Sequence, residues 1–220
     1  MKLSLSEQEL FNYIEKLLRN YFPDNKILKF EIEIYKAALE RTEWCIKNIN
    51  KKYYFENGKA CFNHLNSDQF SCLIYFLSHE AYLRSQTELA EKLFYLNKLM
   101  HGLDIFYSVK LPEIFLFVHP VGSVIGNASY SNYTAFYQNV TIGSDLDGIY
   151  PTFNGSTIFF SGSSVIGACE FGNNIILGAR SFVLKKNIKD NCIVTGQHNI
   201  NLKISKNNKS IAKDFFGINN

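Results

Sequence analysis

Two stretches decide the fold: VHPVGSVIGNASYSNYTAFYQNVTIGS (residues 118–144) and FNGSTIFFSGSSVIGACEFGNNIILGARSFV (residues 153–183). In the first, large apolar residues return every six positions at Val118, Val124, Tyr130, Phe136 and Ile142. In the second they return at Phe153, Phe159, Val165, Phe171, Leu177 and Val183. Four positions after each large residue stands a mostly small or slender one: Gly122, Ala128, Thr134, Val140, then Thr157, Ser163, Cys169, Ile175 and Ser181. A period of six fits neither an amphipathic helix nor an ordinary strand. It is the mark of a parallel β-helix of hexapeptide repeats, whose stacked coils bury one continuous apolar column. Between the arrays, Ile142 to Phe153 is eleven steps, one short of two periods. The intervening Ser144–Thr152, SDLDGIYPT, has the Gly, Pro and Asp content of a loop leaving the column, and such loops are where substrate contacts are added to a rigid scaffold.

Upstream the pattern changes to helical spacing. Leu10, Phe11, Ile14, Leu17, Leu18 and Tyr21 line one helix, with Ser6 and Glu9 as a capping box and Pro23 as the stop. A second helix reads over Lys26–Ile49, a third begins near Ser67 or Asp68, and a fourth opens on a Ser85–Glu88 capping box and runs to Met100. Tyr53–Asn66, with Asn57-Gly58, reads as a loop. The expected fold class is therefore α+β: an N-terminal α-helical bundle at 1–102, a β-helix at 103–205, and a C-terminal tail at 206–220.

The formal charge of +3 is mild. Lys185, Lys186, Lys189, Lys203, Lys206 and Lys209 are scattered rather than massed, which points to a solvated surface and no nucleic acid. The cysteine count of five is odd and contains no paired CxxC spacing, so neither a disulfide framework nor a metal site is expected. In the repeat region only His119 and His198 are histidines, too few for a zinc site. The N-terminus lacks an apolar signal core and no apolar run is long enough for a membrane span, so a cytoplasmic setting is expected. His64 and His79 stand alone and read as structural.

His119 follows Val118, so its side chain is expected to point off the column. The run HPVGSVIGNASYSNYTAFYQNVTIGS, the loop, YPTF and VIGACEFGNNIILGARSFV resemble a bacterial serine acetyltransferase, a hexapeptide-repeat acyltransferase with a left-handed β-helix. The resemblance covers roughly Leu103–Ile204. It implies acetyl transfer from acetyl-CoA to a hydroxyl by direct attack, without a metal. It matches His119 to the family's general base, a role that suits imidazole. Asp104, fifteen residues earlier in an Asp-Ile dipeptide, matches the carboxylate that orients that base. By the same resemblance CoA lies along Ser161, Gly162, Gly178, Ala179 and Arg180, with Lys185 toward its phosphates, and the acceptor meets Gln138, Val118 and Tyr150. Small side chains suit a cofactor arm that must approach the backbone.

Two departures concern the acceptor. Where the family has Asp before the catalytic His and an Arg-His pair in the loop, this chain has Val118 and Ile149-Tyr150. An amino acid's charges lose both partners, so a neutral hydroxyl such as a sugar of surface-polysaccharide biosynthesis competes with serine. N-acetylation of an amino sugar and a non-catalytic β-helix assembly subunit are the alternatives. The resemblance further implies a homotrimer or a dimer of trimers, with Phe117, Phe160 and Phe182 as outward contacts.

Overall fold

The computed structural model describes residues 1–24 and 30–217. Among the described residues there are five α-helices: Glu7–Tyr21 (α1), Ile32–Lys47 (α2), Ser67–Leu83 (α3), Thr87–His101 (α4) and Ile211–Phe216 (α5). Helix α1 starts where expected, with the Ser6–Glu9 capping box formed in both directions. The part of the expected second helix over residues 25–29 lies outside the described residues. Ser85 does not cap α4: it takes a left-handed conformation, φ 59°, that closes α3, and Gln86 holds the cap position without a side-chain bond. The segment read as a loop, Tyr53–Asn66, contains a hairpin of Phe55–Glu56 against Lys59–Phe62, and Lys2–Leu3 adds to its edge in parallel.

Helix α3 is apolar around most of its circumference and is buried from Asp68 to Ala81. A helix that is hydrophobic all round belongs inside, and this one lies between α2, α4 and the first coil. Tyr75 accepts from the Leu111 N–H at 2.8 Å and donates to the Val109 carbonyl at 2.9 Å. Phe76 packs on Phe115 with ring centroids 5.4 Å apart, and the Cys45 thiol donates to the Phe115 carbonyl. These contacts make the helical part and the column one packed body.

The column is a left-handed β-helix with three faces. Phe115–Phe117, Thr134–Phe136, Thr157–Phe159, Ile175–Leu177 and Cys192–Thr195 stack in parallel on the first face. Val124–Ile125, Thr141–Gly143, Ser164–Ile166 and Phe182–Leu184 form the second. Thr152–Phe153 and Glu170–Phe171 form the third, extended by bridges at Ser129 and Ile188. The inward ladder Phe117, Phe136, Phe159, Leu177 includes a flat stack of Phe136 on Phe159 at 5.3 Å.

The period of six holds from Phe136 to Ile142 and again from Phe153 to Val183, but fails in the first coil. Phe117, not Val118, pairs with Phe136, and Ile125, not Val124, pairs with Ile142. Val124 is 46% exposed whereas Phe117 and Ile125 are buried, so Phe117 is a core residue and not an outward contact. Phe117 to Ile125 spans eight positions where Phe136 to Ile142 spans six. The first coil thus carries two extra residues at the corner between its faces. They are His119 and Pro120.

After the last parallel strand the chain reverses. Lys203–Lys206 pairs antiparallel with Cys192–Thr195 across the 205/206 tail boundary. Helix α5 then returns to the helical part, where the Asn50 N–H donates to the Phe215 carbonyl at 2.7 Å and Phe216 is buried.

Candidate active site

The Val118 N–H donates to Phe136 O at 2.9 Å, level with the coil below, and the Val121 carbonyl accepts from Asn139 N at 3.0 Å. Between these two anchors His119 and Pro120 have no counterpart, so they bulge outward. His119 takes φ 50°, a left-handed conformation that costs a non-glycine residue energy and needs support. The support comes from Asp68, whose Oδ1 accepts the His119 N–H at 2.9 Å. The same oxygen lies 3.8 Å from His119 Nδ1. The imidazole is 76% exposed and the carboxylate 6%, so the ring is accessible while its partner is held from behind.

Asp68 is placed by the start of α3. Asn66 caps that helix, its side-chain oxygen accepting from the Asp68 and Gln69 N–H groups at 3.0 and 3.4 Å. Burial pushes the Asp68 carboxyl above the usual range, partly offset by the His119 N–H and the nearby ring. Tyr53, from the short 3-10 turn Lys52–Tyr54, completes the surround. Its phenol is raised by burial and then by the Asp68 charge. Tyr53, Asn66, Ser67, Asp68 and His119 enclose a cavity of about 420 Å³.

Asp104 does not join this group. The αL cap at Gly102 turns the chain back beside α4, and the Asp104 carboxylate takes the Lys98 ammonium at 2.6 Å. Its backbone pairs with the second face, donating to Ser123 O and accepting from Ile125 N. Among the described residues no hydrogen bond or ion pair joins Asp104 to His119, and Asp68 occupies that position.

The expected cofactor residues divide between two corners. Arg180 N donates to Ser161 O and Gly162 N to Gln138 O, both at 2.9 Å, so Gln138, Ser161–Gly162 and Gly178–Arg180 stack on successive coils at the corner that carries His119. At Gly178 an added Cβ would lie 2.9 Å from Thr195 Cγ2 and 3.2 Å from Val194 O, so glycine is required by packing. Gln138 Oε1 is buried and finds no hydrogen-bond partner among the described residues. Val118 is buried.

Lys185 and Tyr150 stand at the next corner. Lys185 ends the second face and pairs with Asp145 at 2.9 Å and Asp147 at 3.6 Å. That partner holds the Asp145 carboxyl below its usual range. The ion pair fastens the Ser144–Thr152 loop to the column, and Tyr150 lies on Gly126, where an added Cβ would come within 2.7 Å of its ring.

Among known proteins the likeness is to serine acetyltransferases. The Synechococcus elongatus serine acetyltransferase is 28% identical over 124 residues, 54% of this chain and 50% of that protein. The one from Bacillus licheniformis is 26% identical over 112 residues, 49% of this chain and 52% of that protein. The chain spans about half the length of these curated relatives. Among solved structures, a Neisseria gonorrhoeae serine acetyltransferase in complex with serine superposes with a TM-score of 0.63 at 23% identity, covering 78% of this chain and 73% of that one. A serine acetyltransferase in complex with CoA gives 0.64 at 18% identity, covering 79% and 72%. At these identities the structural likeness establishes the fold. No protein-family model matches the chain.

Two residues of the site, Asp68 and Tyr53, escape a reading by pattern. Asp68 sits where any helix start favours an acidic residue, and Tyr53 lies in a polar, aperiodic stretch. Neither local signal refers to a histidine 51 positions downstream of Asp68.

Proposed function

We propose that the protein is an acetyl-CoA-dependent O-acetyltransferase that moves an acetyl group to the hydroxyl of a small acceptor. The observation that carries this reading is the bulged His119, with its N–H and Nδ1 side both facing the buried Asp68 carboxylate and its ring open to the cavity. With Nδ1 turned toward the carboxylate, Nε2 is the nitrogen left to meet an acceptor. The acceptor hydroxyl gives its proton to Nε2 as its oxygen attacks the acetyl carbonyl, and the imidazolium returns that proton to the departing sulfur. Asp68 stabilises the imidazolium between these steps, the orienting role that the resemblance would have given to Asp104.

The thioester co-substrate supplies the activated acetyl group. Small side chains at Ser161, Gly162, Gly178 and Ala179 leave the main chain open along the His119 corner and suit a pantetheine arm, with the exposed Arg180 toward its phosphates. Lys185, engaged by the loop, is a weaker phosphate partner. Association into a homotrimer, or a dimer of trimers, is part of the same proposal.

Serine is the acceptor named for the relatives. A sugar hydroxyl is a second reading, favoured because the cavity lining contains no lysine or arginine for a substrate carboxylate. Screening acceptors with acetyl-CoA while detecting released thiol tests both. His119→Ala, an exposed position, is expected to abolish acceptor-dependent CoA release with the fold intact. Retained transfer would overturn the reading.

A further inference from the structure

A second space adjoins the His119 cavity. This chamber of about 450 Å³ is lined by Lys2, Leu3, Ser4, Tyr53, Glu56, Cys61, Phe62, Asn63, Asn66 and Gln69. Tyr53 and Asn66 line both spaces, so the two spaces adjoin at these residues, between the imidazole and the hairpin. The chamber is assembled from three separate segments: the N-terminal strand, the Phe55–Phe62 hairpin and the first turn of α3.

Its lining chemistry is specific. Lys2 places its ammonium on both Glu56 carboxylate oxygens, at 2.8 and 2.7 Å, so the two charges cancel at the rim. Gln69 donates to Cys61 O and accepts from Asn63 N. The side-chain oxygens of Asn63 and Asn66 are likewise taken, by the N–H groups of Leu65, Asp68 and Gln69. Among the described residues, the amide nitrogens of Asn63 and Asn66 donate to no protein group, so each presents free N–H bonds. Tyr53 is 48% exposed, and among the described residues its hydroxyl has no partner. Amide donors, a phenol and an open aromatic face in an electrically balanced space are the groups that bind a neutral polyhydroxyl compound. A phosphorylated acceptor would instead set its charge beside the ionised Asp68 with no free cation in either chamber.

We infer that the acceptor is a neutral glycosyl compound of at least two rings, which presents one hydroxyl to His119 and seats its further ring in the Asn63–Asn66 chamber against Tyr53. This rests on the proposed O-acetyl transfer, and it narrows the sugar reading to uncharged saccharides.

The test pairs a binding measurement with a rate measurement. Saturation-transfer NMR reads binding of neutral disaccharides to the full-length protein and to Tyr53→Ala and Asn63→Leu, each checked for an unchanged melting curve. In parallel, kcat/KM is measured for the same disaccharides and for serine. Saturation of the wild type, reduced at least tenfold in affinity by either variant, with a disaccharide-to-serine rate ratio that falls about tenfold, is the expected result. Acetylation of serine with no disaccharide binding overturns the inference and leaves the transfer reading intact. Disaccharide binding that the variants weaken, without transfer to any acceptor, upholds the chamber and sinks the transfer reading. Binding that neither variant changes overturns the chamber.

Discussion

Replacing Asp68 by asparagine separates what this residue does for activity from what it does for stability. The substitution keeps an oxygen for the His119 N–H but removes the charge. The present bond, a carboxylate accepting at 2.9 Å, is of the charge-assisted kind, which contributes roughly 1.5–3 kcal/mol, about twice a neutral one. About 1 kcal/mol of the hold on the left-handed bulge is therefore lost. The carboxylate also faces Nδ1 at 3.8 Å. Coulomb's law at an effective dielectric of about 20 gives about 4 kcal/mol at that separation, and solvent around the exposed ring reduces it to about 1–2 kcal/mol. Together these predict a fall in kcat/KM of roughly 30- to 150-fold. Stability moves the other way. Burial raises the Asp68 carboxyl's pKa, so the folded protein binds its proton more tightly than the unfolded chain. The stability this group contributes is present below the unfolded value and is lost as pH rises through the folded one. Asparagine carries no such cost at neutral pH. Initial rates by thiol detection and melting curves by circular dichroism decide the matter. Activity within twofold of wild type, or a melting temperature lowered by several degrees, would refute the assignment of Asp68 as a strained but functional partner.

Two further outcomes concern the fold. Phe159 is fully buried, stacked on Phe136 at 5.3 Å and edge-on to Phe153 at 5.0 Å, so Phe159→Ala should cost about 3–5 kcal/mol in chemical denaturation. Burial lowers His101 to about 4, and its Nε2 has no partner among the described residues. The unfolded chain therefore takes up a proton that the folded one refuses, and stability should drop by up to about 3 kcal/mol between pH 6.5 and 4. His101→Leu should flatten that part of the stability–pH curve, and an unchanged slope would place the acid sensitivity elsewhere.

A repeating pattern or a chain-local signal is legible in the residues alone. The six-residue return of large apolar residues specifies a β-helix because each coil buries the same positions on the same faces. It held through Phe136, Ile142, Phe159, Val165, Leu177 and Val183, all buried. The capping box at Ser6 and Glu9 marked the start of α1 for a similarly local reason. Tertiary structure decided the rest. The register of the first coil depends on which residues pair across coils. Two additional residues at His119 and Pro120 shift the inward positions to Phe117 and Ile125, though Val118 and Val124 fit the period as well on paper. The partner of His119 depends on where α3 is packed, since Tyr75, Phe76 and Phe115 hold that helix so that Asp68 meets the bulge. The family resemblance implied Asp104, fifteen residues before His119, but a matching separation along the chain does not specify direction in space, and the turn at Gly102 delivers Asp104 to Lys98. Lys185 likewise belongs to the loop that only folding brings beside it. Periodicity records which face a residue occupies, whereas a site is a meeting of faces from distant segments.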